Sequence, residues 1–542
     1  MSRFLIALAA ALLFGACSDN REAQTAAPDE PLAVITAESI RKDLEYLAGD
    51  ALEGREAGQP GYDMAAEYVA NQFAALGLEP GGTEGWMQPV PLQSYQLDTA
   101  TATLIVHRDG GDTALTYRDD FSMYGDKVRS HNSVRAEVVF VGYGVHAPQF
   151  GYSDLDNVDI DGKIVALFLG GPAALGSDER AYFSSTRTKS EEIVARGAVG
   201  VIGLFTRHLQ ETVPWQRIAE STGRKPGMTW TDVSGAADEY FPELLGSALL
   251  SPDAATDFFA GTPISFEAAL DAADASQVAS VPLGLEVTLT RNTSHAQLMS
   301  PNVIGVIRGT DAELAREYVV FSAHLDHVGR GVAVDGDDIY NGMYDNALGV
   351  AVMLGAARAL AADPPRRSVM FIALTAEEVG LLGSDYFAHY PTVPTAALVA
   401  NVNMDMPLFP LPVTNLIAYG AEHSSLQAFA TAAAAAEGFV LVPDPIPEES
   451  VFRRSDQYSF VRKGVPAIYL DSTFDDAASE EAFRSHRLQH YHRPSDDLSR
   501  PLHMDSVVRF ARTNARLGRD IGNADARPTW NEGDFFGAMF AR

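Results

Sequence analysis

The sequence has 542 residues, of which 72 are acidic and 40 are basic, giving a formal net charge of −32. This length predicts two or three domains with ample chain for a buried core. The acidity argues against nucleic acid as a partner, because nucleic-acid binding requires a basic face. The single cysteine, Cys17, excludes an internal disulfide and a thiolate metal site, so burial must stabilise the fold.

The first 35 residues have the pattern of an export signal followed by a tether. Arg3 precedes an apolar run from Phe4 to Phe14, and Cys17 follows shortly after it. The run is too short to span a bilayer, so we predict a signal peptide at residues 1–16 that ends in a lipobox and a lipid on Cys17. The polar residues 17–35 then form a lipidated tether. We therefore expect an exported bacterial lipoprotein, held in a membrane by its N-terminal lipid anchor, in the periplasm or at the outer membrane.

Two helices and then a strand-rich region follow the tether. Apolar residues at helical spacing predict helices from Thr36 to Ala48 and from Tyr62 to Leu76. Residues 36–115 are assigned to the N-terminal part of one domain, and residues 116–292 to a β-rich insertion. Between Ser94 and Thr293 the short apolar runs predict strands at 103–108, 136–145, 163–169 and 199–205, and a helix at 189–195.

In the last part of the chain, histidine and carboxylate residues follow the ends of predicted strands. The strands begin at Tyr318, Val369, Ala397 and Ala467, and the polar residues after them are His324, Asp326, Asp345, Glu377, Glu378, Asp405, His490 and His492. Ligand sites of open α/β sheets lie beyond the carboxyl ends of the strands, so these side chains should converge. Imidazole and carboxylate ligands together suit zinc. The pattern therefore predicts a metal site.

Helices alternate with these strands. The apolar spacing predicts helices from Ala347 to Leu360, from Ser424 to Gly438 and from His503 to Leu517. Alternation of this kind predicts an α/β fold with a mixed, largely parallel sheet flanked by helices. Residues 293–542 are assigned to this domain.

The same residues resemble the M28 family of zinc aminopeptidases and carboxypeptidases. The matching motifs are His324-x-Asp326, Asp345-Asn346, Thr375-Ala376-Glu377-Glu378, Asn403-x-Asp405 and Tyr491-His492-x-Pro494. The resemblance implies two zinc ions: His324 and Asp405 bind one, Glu378 and His492 bind the other, and Asp345 bridges them. It also implies Glu377 as general base, a choice between Glu377 and Glu378 that chemistry alone leaves open. We expect Asp326 to accept the free ring N–H of His324.

The strand-rich region resembles the protease-associated (PA) domain that is inserted in many M28 enzymes. The resemblance lies in Val141 to Gly144 and in Val158 to Val165. Such an insertion is either a structural lid or a wall that restricts access of the substrate, and the sequence leaves both open. The chain departs from the family pattern at Leu348 and Gln457, neither of which is a ligand in the implied scheme.

The resemblance implies an exported di-zinc metallopeptidase that acts on peptide substrates, as an aminopeptidase that removes N-terminal residues with a metal-activated water. Three alternatives remain. A carboxypeptidase of the same family needs a cation for the terminal carboxylate of the substrate, and Arg453 and Arg454 could supply it. A glutaminyl cyclase uses one zinc ion, which the complete ligand set argues against. A non-catalytic peptide-binding protein on this scaffold is expected to lack a ligand or the base.

Overall fold

A computed structural model describes residues 30–222 and 225–541. The signal peptide predicted at residues 1–16, Cys17 and most of the predicted tether lie outside the described residues.

In chain order the helices are α1 (Ala37–Leu47), α2 (Pro60–Ala75), α3 (Ser177–Phe183), α4 (Thr186–Val194), α5 (Arg207–Thr212), α6 (Trp215–Ser221), α7 (Pro252–Phe258), α8 (Phe266–Asp274), α9 (Gly349–Ala362), α10 (Leu382–His389), α11 (Leu426–Ala436), α12 (Gln457–Val461), α13 (Ala477–Gln489), α14 (Met504–Asn523) and α15 (Phe535–Phe540). The strands are β1 (Glu79–Pro80), β2 (Met87–Leu97), β3 (Thr103–Arg108), β4 (Gly111–Leu115), β5 (Phe121–Ser122), β6 (His131–Phe140), β7 (His146–Ala147), β8 (Tyr152–Ser153), β9 (Ile164–Phe168), β10 (Gly200–Leu204), β11 (Gly227–Trp230), β12 (Gly246–Leu250), β13 (Val281–Ile307), β14 (Tyr318–His324), β15 (Arg330–Val334), β16 (Asp337–Ile339), β17 (Ser368–Leu374), β18 (Leu398–Asn403), β19 (Asn415–Tyr419), β20 (Val440–Leu441) and β21 (Ala467–Ser472).

The central sheet is mixed and largely parallel, which confirms the predicted fold class. Strands β17, β14, β18 and β21 are parallel neighbours in that order, and β13 and β19 flank them antiparallel. In β14, Val319 and Phe321 face a core that contains α9 and α14, whereas Val320 faces a second core that contains α10 and α12. Because helices cover both faces, the central strands are apolar along their whole length rather than alternating.

Helix α9 lies at the centre of the larger core. With the turn before it, Met343–Ala362 is long and apolar enough to cross a membrane by length and composition. However, 83% of its most apolar stretch is buried inside the fold, against α1, α14 and the sheet. Its Gly, Ala and Val residues let these neighbours approach closely. We therefore interpret this segment as a core helix.

A second, β-rich unit has a hydrophobic core of its own. This core is built from β3, β6, β9, β10 and β12, from α7 and α8, and from the first half of β13. Strands β6, β9, β10 and β12 are parallel neighbours, whereas β3 and β6 both pair antiparallel with β13. Strands β3 and β4 thus pair on the β-rich side, although our division at residue 116 places them with residues 36–115. The assignment of this unit as a PA domain stays a prediction.

The two units share the long strand β13. Its first half pairs with β3 and β6 in the β-rich unit, and its last residues pair with β17 in the central sheet. Strand β2 follows it antiparallel from Thr293 to Val303, and β11 pairs with the other edge of β2. A continuous β-ribbon therefore joins the β-rich unit to the sheet that carries the predicted site.

Most predicted elements are present within a few residues of their expected bounds. The strand expected at 136–145 instead spans His131–Phe140, because Gly142 and Gly144 have positive φ values of 58° and 68° and turn the chain. The helix expected at 189–195 begins earlier, at Thr186, where the Ser185 side chain accepts a hydrogen bond from the Thr188 N–H.

Candidate functional site

The predicted ligands converge beyond the carboxyl ends of the central strands. His324 is the last residue of β14, and Asp405 lies two residues beyond the end of β18. Glu377 and Glu378 follow β17, whose last residue is Leu374. Asp345 lies in the irregular turn before α9, and His492 follows α13. The structure thus brings together all five predicted metal ligands and Glu377 from distant parts of the sequence.

Asp345 stands between two groups of ligand atoms. On one side, His324 Nε2 lies 3.3 Å from Asp345 Oδ1 and 3.1 Å from Asp405 Oδ1. On the other side, His492 Nε2 lies 3.2 Å from Asp345 Oδ2 and 2.9 Å from Glu378 Oε2. The two oxygens of one carboxylate therefore face different imidazoles. This is the arrangement that a bridging carboxylate between two metal ions requires.

His327 also belongs to this cluster, although it is not among the ligands predicted from the sequence. Its Nδ1 lies 2.6 Å from Glu378 Oε1 and 3.9 Å from Asp345 Oδ2, and the side chain is fully buried. Among the residues that the structure describes, none makes a hydrogen bond to its Nε2. The signal that could have found it is its position three residues after His324, which gives a second imidazole at the end of the same strand.

Asp326 has a different role from the one expected. Its carboxylate accepts hydrogen bonds from the backbone N–H groups of Glu377, at 3.1 Å, and Glu378, at 3.3 Å. The ring Nδ1 of His324 faces the backbone carbonyl of Asp326 at 3.2 Å and not its carboxylate. The expectation that the Asp326 side chain orients His324 is therefore wrong, because the turn after β17 takes both carboxylate oxygens. Asp326 instead fixes the two glutamates.

The carboxylates of the cluster differ in their protonation behaviour. Burial raises the pKa of Glu377 well above its usual value, and the carboxylates of Asp405 and Glu378 add to the rise. Burial opposes ionisation of Asp345 as well, but hydrogen bonds with His324 and His492 hold its pKa well below the usual range. Glu377 is thus suited to hold a proton, whereas Asp345 is suited to stay ionised.

The residues present fit a pair of divalent metal ions. Three carboxylates, Asp345, Glu378 and Asp405, converge with the imidazoles in a largely buried site. Buried carboxylates that lie so close together repel one another, and they can all be ionised only if cations lie nearby. Nitrogen and oxygen donors in two groups that share Asp345 are the ligands zinc takes in proteins.

Buried polar contacts hold the loops of the cluster. The guanidinium of Arg55 is fully buried and donates to the carbonyls of Leu325 at 2.9 Å, Asn341 at 2.6 Å and Gly342 at 3.1 Å. It thereby ties the loop after His324 to the loop before Asp345. The carboxylate of Asp496 accepts from the Asp345 backbone N–H at 3.2 Å. These contacts give Arg55 a structural role.

A small cavity opens onto the cluster. It is lined by His324, Asp345, Glu377, Asp405, Met406, Val451, Arg454, Ser455, Tyr469, Asp471, Arg487 and Tyr491. Arg453 lies elsewhere: it lines a separate cavity of about 740 Å³ and stacks on the ring of Tyr458, with its Cζ 5.5 Å from the ring centroid. Of Arg453 and Arg454, the two arginines predicted to be able to bind a terminal carboxylate, only Arg454 lines the cavity at the cluster.

The side chain of Gln457, at which the chain departs from the family pattern, is structural. It is fully buried, accepts a hydrogen bond from Asn403 at 2.8 Å and donates to the Phe452 carbonyl at 2.7 Å. Leu348, the other departure, is buried in the larger core.

Comparison with known proteins agrees with this geometry. The sequence profile of Peptidase family M28 matches residues 302–518. Aminopeptidase YwaD of Bacillus subtilis (strain 168) is 33% identical over 108 residues, which span 20% of this chain and 22% of that protein.

Solved structures provide the comparison of folds. The aminopeptidase from Aneurinibacillus sp. strain AM-1 has a TM-score of 0.53 and 18% identity, over 92% of this chain and 97% of that chain. A zinc aminopeptidase from Bacillus subtilis gives a TM-score of 0.46 and 17% identity, over 91% of this chain and 97% of that chain. The fold is thus shared with the first of these aminopeptidases across both units. The likeness to peptidase family M28 covers residues 302–518, which is less than half of the 542 residues of the chain.

Proposed function

We propose that this chain is a di-zinc metallopeptidase that hydrolyses peptide bonds, acting as an aminopeptidase. The observation that carries the proposal is Asp345, whose two oxygens face His324 on one side and His492 on the other. The match of residues 302–518 to peptidase family M28 supports the reaction class. The names of the compared proteins support aminopeptidase action over the alternatives.

In this proposal His324 and Asp405 hold one zinc ion, Glu378 and His492 hold the other, and Asp345 is shared. When bound, a zinc pair acidifies a water molecule and polarises the scissile carbonyl. Both ligand groups lie along the cavity or directly beside it, so a peptide bond placed in the cavity reaches them.

Glu377 is the proposed general base. Its carboxylate lines the cavity, and Asp326 fixes its backbone through the N–H group. Glu378 is engaged by His327 and His492 on its two oxygens, which leaves Glu377 as the glutamate free for proton transfer. Glu377 takes a proton from the attacking water and delivers it to the leaving amine, a role that a raised pKa favours.

Two further parts of the proposal concern the rest of the chain. The pattern of residues 1–17 supports export and attachment to a membrane through a lipid on Cys17. The β-rich unit is proposed to be a PA domain that restricts access to the cavity. A series of peptides of increasing length tests the second point, since restriction predicts that kcat/KM falls with length.

The central experiment compares the wild type with Glu377→Gln. Metal content is measured by mass spectrometry, and hydrolysis is followed on matched peptides with a free or an acetylated amine. We expect about two zinc ions per chain in both proteins, cleavage of the free-amine peptides alone, and a loss of turnover of at least about 100-fold in the variant. A protein that takes up no zinc contradicts the site, and one that binds zinc but cleaves no peptide contradicts the activity.

A further inference from the structure

The cavity at the metal cluster contains two arginines, Arg454 and Arg487. The chain has 72 acidic and 40 basic residues, so carboxylates are available as ion-pair partners for most basic side chains. Arg454 forms an ion pair with Glu449: its Nη1 lies 2.8 Å from Glu449 Oε2, and both side chains are about half exposed. An exposed pair of this kind contributes little stability and exchanges readily for another partner.

Arg487 has no such partner. Within residues 30–222 and 225–541, no carboxylate oxygen lies within 4.0 Å of its guanidinium, and no hydrogen bond from it is formed. Its contact is with the ring of Phe483, whose centroid lies 5.8 Å from the guanidinium carbon. A guanidinium has five N–H donors, and the half-buried side chain of Arg487 lines the cavity at the cluster.

Asp471 also lines the cavity, and its carboxylate forms no ion pair with Arg487. Burial raises the pKa of Asp471 to about 8, and the Arg487 guanidinium opposes that rise. Asp471 Oδ1 accepts a hydrogen bond from the Ser472 N–H at 2.6 Å. Among the described residues, Arg487 is thus a cation without an ion-pair partner, in the same cavity as the predicted ligands His324 and Asp405.

We propose that Arg487 binds a carboxylate group of the peptide substrate, with Arg454 as a second cation at the same cavity. A guanidinium suits this task because its planar N–H pairs match the two oxygens of a carboxylate. The inference rests on the proposed peptidase function, and it names the substrate class: short peptides that carry a carboxylate close to the scissile bond. The carboxylate comes either from the C-terminus of the peptide or from an aspartate or glutamate side chain.

The test uses matched peptide pairs and two variants of α13. One pair is a free-amine tripeptide with a C-terminal carboxylate or a C-terminal amide. The other is an amidated tripeptide with glutamate or glutamine next to the scissile bond. Values of kcat/KM are measured for the wild type, Arg487→Gln, Arg487→Lys and the control Arg484→Gln. Arg484 is on the same helix but is about half exposed, pairs with Glu480 and does not line the cavity.

We expect the wild type to favour the charged member of at least one pair by about 10- to 100-fold, the range of a charge-assisted hydrogen bond. Arg487→Gln should bring that ratio to within about twofold of one while the neutral peptide is cleaved as before. Arg487→Lys should restore part of the ratio, and Arg484→Gln should leave it unchanged. The pair that responds identifies the source of the carboxylate.

Other outcomes overturn the inference. A wild-type ratio of one for both pairs, or a ratio that Arg487→Gln leaves intact, contradicts carboxylate recognition by this residue. An equal loss for charged and neutral peptides indicates a structural role. If the wild type cleaves no peptide, the proposed function fails, and the same pairs are then compared by calorimetric binding to zinc-loaded protein with and without Arg487→Gln. If the charged and neutral peptides then bind the wild type with equal affinity, the inference is overturned independently of the proposed function.

Discussion

Glu378 illustrates at the residue scale how the cluster is held. His327 contacts one of its carboxylate oxygens at 2.6 Å and His492 contacts the other at 2.9 Å. A carboxylate fixed through one oxygen presents the other in a constant direction, and such support strengthens metal binding. His327 is therefore a positioning residue for Glu378, buried in the loop that follows His324.

Replacing His327 should weaken metal binding at one end of the cluster. We expect His327→Gln to lower affinity for one zinc ion by about 10- to 100-fold, because Glu378 loses its support, and to leave the ion at His324 and Asp405 in place. Zinc per chain, measured by mass spectrometry after dialysis against increasing chelator, should fall from two to one earlier than in the wild type. His131→Gln is the matched control, since His131 is exposed in the β-rich unit. Identical curves for both variants and the wild type would rule out this role.

The residues that could be predicted from the sequence are those that strand ends bring together. His324, Glu378 and Asp405 follow apolar runs that have to be central strands, so their convergence follows from the sheet. The direction of a side chain within a loop does not follow in this way. The Asp326 carboxylate points to the turn after β17, a choice made by backbone N–H groups that are distant in sequence. Arg487 was missed for a similar reason, because it lies on a helix and reaches the cavity through the packing of α13.

At the scale of elements, the site depends on loops that a single buried side chain holds together. Arg55 donates to the carbonyl of Leu47 at the end of α1, to that of Leu325 after β14, and to those of Asn341 and Gly342 before the Asp345 turn. Burial lowers the pKa of Arg55 to about 10, so it remains charged at neutral pH. Carbonyls buried in a loop require a donor, and here one guanidinium supplies it for three segments.

Arg55→Lys should therefore loosen both ligand loops. A lysine ammonium lacks the fork geometry that reaches these carbonyls, so buried acceptors are left unpaired, at a cost of about 3 kcal/mol or more. We expect the Tm to fall by several degrees, measured by circular dichroism, and zinc retention to fall with it. The control is Arg41→Lys in the exposed part of α1. If Arg55→Lys matches that control in Tm and in zinc content, the loops are held by other contacts.

The helices and strands could be predicted where the spacing of apolar residues determines them. Their ends were harder to predict where a turn determines them. The strands and helices that build the central sheet follow from runs whose two faces are both buried. The end of β6 was missed because Val141, Tyr143 and Val145 continue the apolar pattern through a glycine turn. There the conformational freedom of glycine overrides the propensity of its neighbours.

At the scale of the whole molecule, the junction between the two units lies directly behind the site. Trp230 on β11 is 4% exposed and packs in one cluster with Ala376 and Leu382, which bracket the two glutamates. Its indole Nε1 donates to Asp385 Oδ2 at 3.0 Å, and Arg462 Nη1 lies 3.2 Å from the other oxygen of Asp385. The ribbon of β2, β11 and β13 thus supports the turn that positions Glu377.

Truncating Trp230 should therefore affect chemistry as well as stability. Trp230→Ala leaves a cavity and removes a hydrogen-bond donor from Asp385, at a cost of about 3–5 kcal/mol. We expect kcat to fall by about tenfold or more, because the turn from Ala376 to Leu382 loses its support, while the proposed zinc ligands on the other strands stay in place. Trp230→Phe keeps an aromatic ring at this position, so its kcat and its stability should lie between those of Trp230→Ala and the wild type. Unfolding is followed by circular dichroism, and kcat is measured on a free-amine peptide.

The control for this experiment is Trp215→Ala. Trp215 packs edge-on against Phe205 in the β-rich unit, with ring centroids 5.9 Å apart, and its indole donates to the Arg118 carbonyl at 2.8 Å. Trp215→Ala therefore removes an indole ring and one hydrogen bond, as Trp230→Ala does, but away from the turn between Ala376 and Leu382. If the junction transmits support to the site, Trp215→Ala lowers stability without lowering kcat in the folded protein. Equal losses of kcat in the two alanine variants would mean that the β-rich unit acts on the whole fold and that Trp230 has no special place behind Glu377.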